Sequence, residues 1–122
     1  MTQKILIMIT FGEGYPDRYN PPLHLALLSA TLDAEVQIIY TMSGGLLLKK
    51  GIAEKISSGK GKQTYIDMIR EVKDFGVKIF VCSPTLETFG LTRDDFIDEV
   101  DDIVGGMYAI TEALEADLVF TF

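Results

Sequence analysis

A nucleophile, a base and an anion cradle are the parts a small catalyst needs, and this chain holds few residues that supply them. It has one cysteine, Cys82, and one histidine, His24. Cys82 closes the apolar run Val77-Lys-Ile-Phe-Val-Cys82 and is followed by Ser83-Pro84-Thr85, which can turn the chain into a helix. A thiol placed there faces backbone N–H groups of residues 83–86 and the positive end of a helix dipole. Both favour the thiolate, which is the nucleophilic form. The plainer reading is a buried cysteine acting as a small hydrophobe. His24 lies in the first predicted helix just after a strand end, so a Cys–His pair is open to it. A helix histidine on a partly buried face is the alternative. One Cys and one His do not make a zinc site, and neither a metal nor a cofactor is expected.

Glycine-rich turns are the other candidates. Gly12-Glu13-Gly14 follows the first strand but does not continue as G-x-G-x-x-G, because position 17 is Asp and Tyr15-Pro16 interrupts the turn. The second strand ends in Tyr40-Thr41 rather than an acid that could hold a ribose, which argues against a dinucleotide. No P-loop spacing is present. Ser43-Gly44-Gly45 and Gly105-Gly106 can expose backbone N–H groups to a small anion, against a reading as ordinary turns. The acids Asp94, Asp95, Asp98, Glu99, Asp101 and Asp102 lack the alternation of a calcium loop and read as a solvated helix face.

A net charge of −7 argues against general nucleic-acid binding, which rests on neutralising phosphates. The charge is uneven. Lys49, Lys50, Lys55, Lys60 and Lys62 crowd residues 49–62 with Glu54 as the one acid, while residues 94–102 are acidic without a base. These patches read either as two solvated faces or as surfaces that meet in a partner or sister subunit. A lone cysteine allows no internal disulfide and fits a reducing cytoplasm. No membrane-length apolar run and no signal-peptide pattern are read, so a cytoplasmic protein is expected.

The elements that must position these residues follow from pattern. Lys4 to Thr10, Glu35 to Tyr40, Val77 to Cys82, Asp102 to Val104 and Asp117 to Phe122 are strand-like, and the longer runs are apolar rather than alternating. Between them, Pro21-Pro22 opens a helix through Leu32. A loop at 42–45 leads to a short helix at Leu46–Lys50, and a Gly/Ser/Lys-rich connection at 51–61 reads as mobile. Gln63 to Phe75 is amphipathic, with Gly76 as its stop. A helical turn spans Thr85 to Gly90, Thr92 caps the next turn with Asp95 at N3, and Met107 to Glu115 is helical. Alternating strands and helices predict a single α/β domain over residues 1–122. Its expected form is three-layer α/β/α around a mostly parallel five-stranded sheet, with sites beyond the carboxyl ends of the strands.

The segment Asp74-Phe-Gly-Val-Lys-Ile-Phe-Val-Cys82-Ser-Pro-Thr-Leu-Glu-Thr-Phe-Gly90-Leu resembles the DsrE/DsrF-like, TusD-related sulfur-relay family. In that family a strand commonly ends in a cysteine, with a glycine eight positions later, as Cys82 and Gly90 stand here. The tail from Gly105-Gly106 to Phe122 is similar to the family's closing helix and strand. TusD-like sequences often carry arginines before the glycine, where this chain has Thr88-Phe89. The resemblance implies a sulfur carrier. Cys82 would accept sulfane sulfur as a persulfide and pass it to a partner protein, within a homo-oligomer or a hetero-oligomer. Gly12, Ser43, Gly44, Ser83, Thr85 and Gly90 are the residues expected around the substrate. The alternative is a non-catalytic oligomeric binding or assembly module with a structural cysteine. A third reading is a small-anion or nucleotide binder using the loops at 11–15 and 43–45.

Overall fold

The apolar runs form a sheet, and its strand order decides which faces the helices can cover. The computed structural model describes residues 2–122, and Met1 lies outside them. The strands are β1 (Lys4–Ile9), β2 (Glu35–Tyr40), β3 (Lys78–Cys82), β4 (Asp102–Val104) and β5 (Leu118–Thr121). They pair in the order β4-β3-β2-β1-β5, and every pair is parallel. The helices are α1 (Pro16–Thr31), α2 (Tyr65–Asp74), α3 (Ser83–Phe89) and α4 (Gly106–Glu115), with 3-10 segments at Met42–Leu48 and Arg93–Asp95. From β1 to β4 the strands are laid down in one direction. Right-handed crossovers therefore place all three connections on one face. The chain then reverses to β5, which puts α4 alone on the other face. The result is the expected three-layer arrangement, unequally covered.

On the first face, Ile7, Ile9, Ile38, Tyr40, Ile79 and Val81 pack against Leu23 and Ala26 of α1 and Ile69 and Val72 of α2. The alternate residues Leu6, Ile39 and Cys82 point the other way, toward Ala109 of α4. Tyr40 and Tyr65 are fully buried and share a hydrogen bond of 2.5 Å. Burial pushes both phenols above their ordinary range, so the pair stays neutral at any physiological pH. Thr64 caps α2 by accepting from Asp67 N, and Gly76 leaves the helix with φ 89°, as its spacing predicted.

Four local expectations are corrected. First, α1 begins at Pro16, so Pro21 and Pro22 lie inside the helix rather than opening it. The carbonyls left without a helical N–H partner, those of Asp17 and Arg18, belong to exposed residues that water can reach, and burial of Tyr19, Leu23 and Ala26 holds the helix. Second, the loop at 42–45 and the helix at Leu46–Lys50 are one 3-10 segment, Met42–Leu48. Third, the connection at 51–61 is pinned rather than free. Ala53 is fully buried, its carbonyl accepts from Ile66 N, and Ile56 O accepts from Tyr65 N. Fourth, the acidic run forms no long helix. Thr92 and Asp95 make the predicted capping box, but the segment they open is three residues long.

The oppositely charged segments also lie side by side in one chain. Lys49 forms an antiparallel bridge with Phe96, and Lys50 N donates to Asp95 O. Glu99 is paired with Arg70 at 2.7 Å and Asp101 with Lys73 at 2.7 Å, both from α2. Burial pushes the Asp101 carboxyl up, but donors from Lys73 Nζ and Ile79 N, with the Lys73 charge, outweigh it and hold Asp101 below its ordinary range. A lowered folded value means that this stability is present above the ordinary carboxylate range and lost as pH falls through the folded one. Lys73→Met is therefore expected to cost up to about 1 kcal/mol at neutral pH, since solvent screens the pair. Urea unfolding at pH 7 and at about pH 3 checks this, because the difference from the parent should shrink at the acid end.

Candidate functional site

Cys82 is the last residue of β3 and the N-cap of α3, with φ −81° and ψ 137°. It pairs in register with Val104 of β4. Pro84 stands in the first helical turn, where its missing N–H costs nothing. The strand thus hands the thiol directly to a helix start, as the sequence predicted. Its surroundings are apolar. Cys82 is 5% exposed and clusters with Leu6, Ile39, Val104 and Ala109, with Met8, Phe80, Ala113 and Ala116 against them. None of these carries a charge.

Gly90 ends α3 in the left-handed conformation, φ 65°, and its N–H bonds Leu86 O. Nothing lies within 4 Å of an added Cβ, so Gly90→Ala meets backbone strain alone. We expect a loss of about 1 kcal/mol, read by thermal or urea unfolding. Thr85 is fully buried, and its hydroxyl donates to Met42 O at 3.1 Å. A Cβ on Gly45 would sit 2.4 Å from Thr85 Cγ2. Thr85 therefore clamps α3 to the 3-10 segment at Met42–Leu48. Ser83 is half-buried at the start of α3, beside Cys82 in sequence.

Gly12 and Ser43 are brought together. A Cβ on Gly12 would lie 3.0 Å from Ser43 O, and both residues line a groove of about 650 Å³ beyond the ends of β1 and β2. Arg18 lines the same groove, with its guanidinium 5.4 Å from the centroid of the Tyr15 ring. Sequence reasoning missed Arg18. The available signal was a basic residue in the first turn of the helix that follows the β1 loop. Gly44 lies deeper, and its N–H is already bonded to Thr41 O at 2.9 Å. Its identity is explained by close packing on Ile9, since a Cβ would stand 2.3 Å from Ile9 O.

His24 is exposed on α1 and lines a small cleft with Gln63, Met68 and Glu71. It lies on the α1–α2 side of the sheet, whereas the Cys82 thiol faces α4. The structure therefore forms no Cys–His pair. A larger cavity of about 520 Å³ lies on the α4 side at the amino ends of the strands, between Lys78, Phe80, Asp102 and Tyr108. It is at the opposite end of the strands from Cys82.

The DsrE/DsrF-like family model matches residues 3–122. The chain belongs to the DsrE/DsrF-like family. Two solved structures share its fold. The crystal structure of the ychN protein from E. coli superposes with a TM-score of 0.81 at 20% identity, covering 99% of this chain and 100% of that one. The structure of MTH1491 from Methanobacterium thermoautotrophicum, a protein of unknown function, has a TM-score of 0.75 at 18% identity and covers 98% and 99%. At such identities the likeness is one of fold. A search of curated proteins finds no match. Within this DsrE/DsrF-like domain no helix is long and apolar enough to cross a membrane, among the described residues.

Proposed function

We propose that this protein is a cytoplasmic sulfur carrier in which Cys82 accepts sulfane sulfur as a persulfide and gives it to a partner protein. The observation that carries the reading is the placement of the single cysteine. In a DsrE/DsrF-like chain, Cys82 stands at the carboxyl end of β3 as the N-cap of α3. In the loading step the Cys82 thiolate attacks the outer sulfur of a donor. A new S–S bond forms at Cys82 Sγ, the donor's S–S bond breaks, and the donor's inner sulfur leaves with the electron pair. In the unloading step an acceptor thiolate attacks the terminal sulfur and Cys82 leaves as thiolate. Both steps are exchanges at sulfur and need no external oxidant. With no second thiol in the chain, the persulfide cannot close to an internal disulfide. Ser83, Thr85 and Gly90 support the α3 turn, and Gly12, Ser43 and Gly44 build the neighbouring loops. Donor and acceptor proteins and a homo-oligomeric state belong to this reading.

Intact-protein mass spectrometry after incubation with thiosulfate or polysulfide tests it. A gain of one sulfur, reversed by reductant, is the expected result. No gain with either donor overturns it. The apolar burial of Cys82 favours a second reading, an assembly module in which the cysteine only packs. In that case the thiol should resist alkylation in the native state and react only on unfolding.

A further inference from the structure

A parallel sheet covered by helices on both sides is ordinarily apolar on both faces. Here the α4 face is apolar only toward the carboxyl ends of the strands. Leu6, Ile39, Cys82 and Val104 point to that face, and side chains alternate along a strand. The same face therefore receives Lys4, Glu35, Gln37, Lys78 and Asp102 toward the amino ends. Register sets Lys4 beside Glu35, Gln37 beside Lys78 and Phe80 beside Asp102. These residues wall the cavity of about 520 Å³, which is the size of a small-molecule site. Its helix side is already organised. The rings of Phe80 and Tyr108 meet edge to face with centroids 5.5 Å apart. The Tyr108 hydroxyl donates to Gln37 Oε1 at 2.7 Å, and Gln37 Nε2 donates to Glu112 Oε1 at 2.5 Å. That chain of bonds orients all three side chains and leaves Glu112 Oε2 without a donor among the described residues.

Charge decides what such a cavity can hold. Lys4 pairs with Glu115, and Asp101 with Lys73. Glu35, Asp102 and Glu112 then stand against Lys78 alone, so the cavity is net negative. Partial burial, then the charge of Glu112 and more weakly that of Asp102, hold the Tyr108 phenol above its ordinary range. Among the described residues no three carboxylates converge as metal ligands do. The negative charge is spread along the cavity, which suits an elongated cation better than a single ion. We propose that this cavity binds a small organic polycation, an aliphatic chain bearing two or more ammonium groups. Its ammonium ends face Glu35, Asp102 and Glu112, and its carbon chain lies along Phe80 and Tyr108, whose ring faces also attract cations. A small anion would meet three carboxylates, and a neutral ligand would strip them of water without replacing it. The cavity lies at the opposite end of the strands from Cys82, so its occupation does not depend on sulfur carriage.

Spermidine is the probe, titrated into the ¹⁵N-labelled protein and followed by NMR at about 0.15 M salt, where loose attraction to the protein's charge is screened. Saturable shifts are expected at the amides of Gln37, Phe80, Asp102 and Tyr108. Glu35→Gln/Asp102→Asn should weaken binding about tenfold, whereas Asp94→Asn/Asp98→Asn should leave it within about twofold. Both double variants remove the same charge, all four positions are exposed, and thermal melts confirm that each protein folds. Magnesium at the same concentration should not reproduce the shifts. Absence of saturation up to about 10 mM spermidine overturns the proposal. So does equal weakening by the two double variants, or a magnesium titration that gives the same shifts. The readout is binding alone, so it stands or falls apart from sulfur loading at Cys82.

Discussion

Cys82→Ala should abolish sulfur uptake entirely, with a stability loss of about 1–2 kcal/mol from the small cavity it leaves. The size of the first effect follows from composition: no other thiol in the chain can form the persulfide. The second follows from burial, because Cys82 is 5% exposed and belongs to an apolar cluster with Ile39, Val104 and Ala109. Cys82→Ser keeps the shape more closely but places a hydroxyl in an apolar cluster. It should also take up no sulfur and be destabilised by a similar amount. Mass spectrometry before and after donor, paired with urea unfolding, reads both quantities. A Cys82→Ala protein that gains reducible sulfur as the parent does would remove the nucleophile from this account. Alkylation kinetics add a rate. Cys82 is 5% exposed, so in a carrier native labelling proceeds through local opening, faster than the chain unfolds, whereas a cysteine that only packs is labelled no faster than global unfolding.

Gly44→Ala should be the most destabilising single change at the loops, at about 2–4 kcal/mol. The added Cβ would meet Ile9 O at 2.3 Å, Ile9 C at 2.9 Å and Thr10 Cα at 3.3 Å, all of them backbone atoms. Backbone cannot swing aside as a side-chain tip can. Ile9 O also accepts Thr41 N at 3.0 Å, so relieving the clash strains the join of β1 to the 3-10 segment. That segment holds α3 through Met42 O and Thr85, so the strain extends to the helix that Cys82 caps. Gly105→Ala is the control. Nothing lies within 4 Å of its Cβ and its φ is −98°, so the entropy that Ala removes from the unfolded chain offsets its poorer fit at the N-cap, and a change within about 0.5 kcal/mol is expected. Equal losses at the two glycines would refute the packing account of Gly44.

The sequence by itself determined the elements whose signal is local. Lys4–Ile9 and Lys78–Cys82 read as buried strands because their residues are apolar and β-branched in succession. α2 was legible from the spacing of Ile66, Ile69 and Val72 and from Gly76, and the capping box of Thr92 and Asp95 from three-residue spacing. The position of Cys82 at a strand's end and a helix's start came from the same local grammar. Tertiary structure decided the rest, because it depends on which distant segments share a surface. Pro21 and Pro22 are tolerated inside α1 because burial of Tyr19, Leu23 and Ala26 outweighs two missing hydrogen bonds. Residues 51–61 look mobile by composition but are pinned by Ala53 and Ile56 against α2. The lysine-rich and acidic segments neighbour each other through Lys49 and Phe96, a contact that no reading of charge runs could place. His24 and Cys82 fall on opposite sides of the sheet because of strand order, and that same order leaves α4 alone over the thiol. Sequence period says that a helix has an apolar side; only the topology says whether the chain has anything left to cover it.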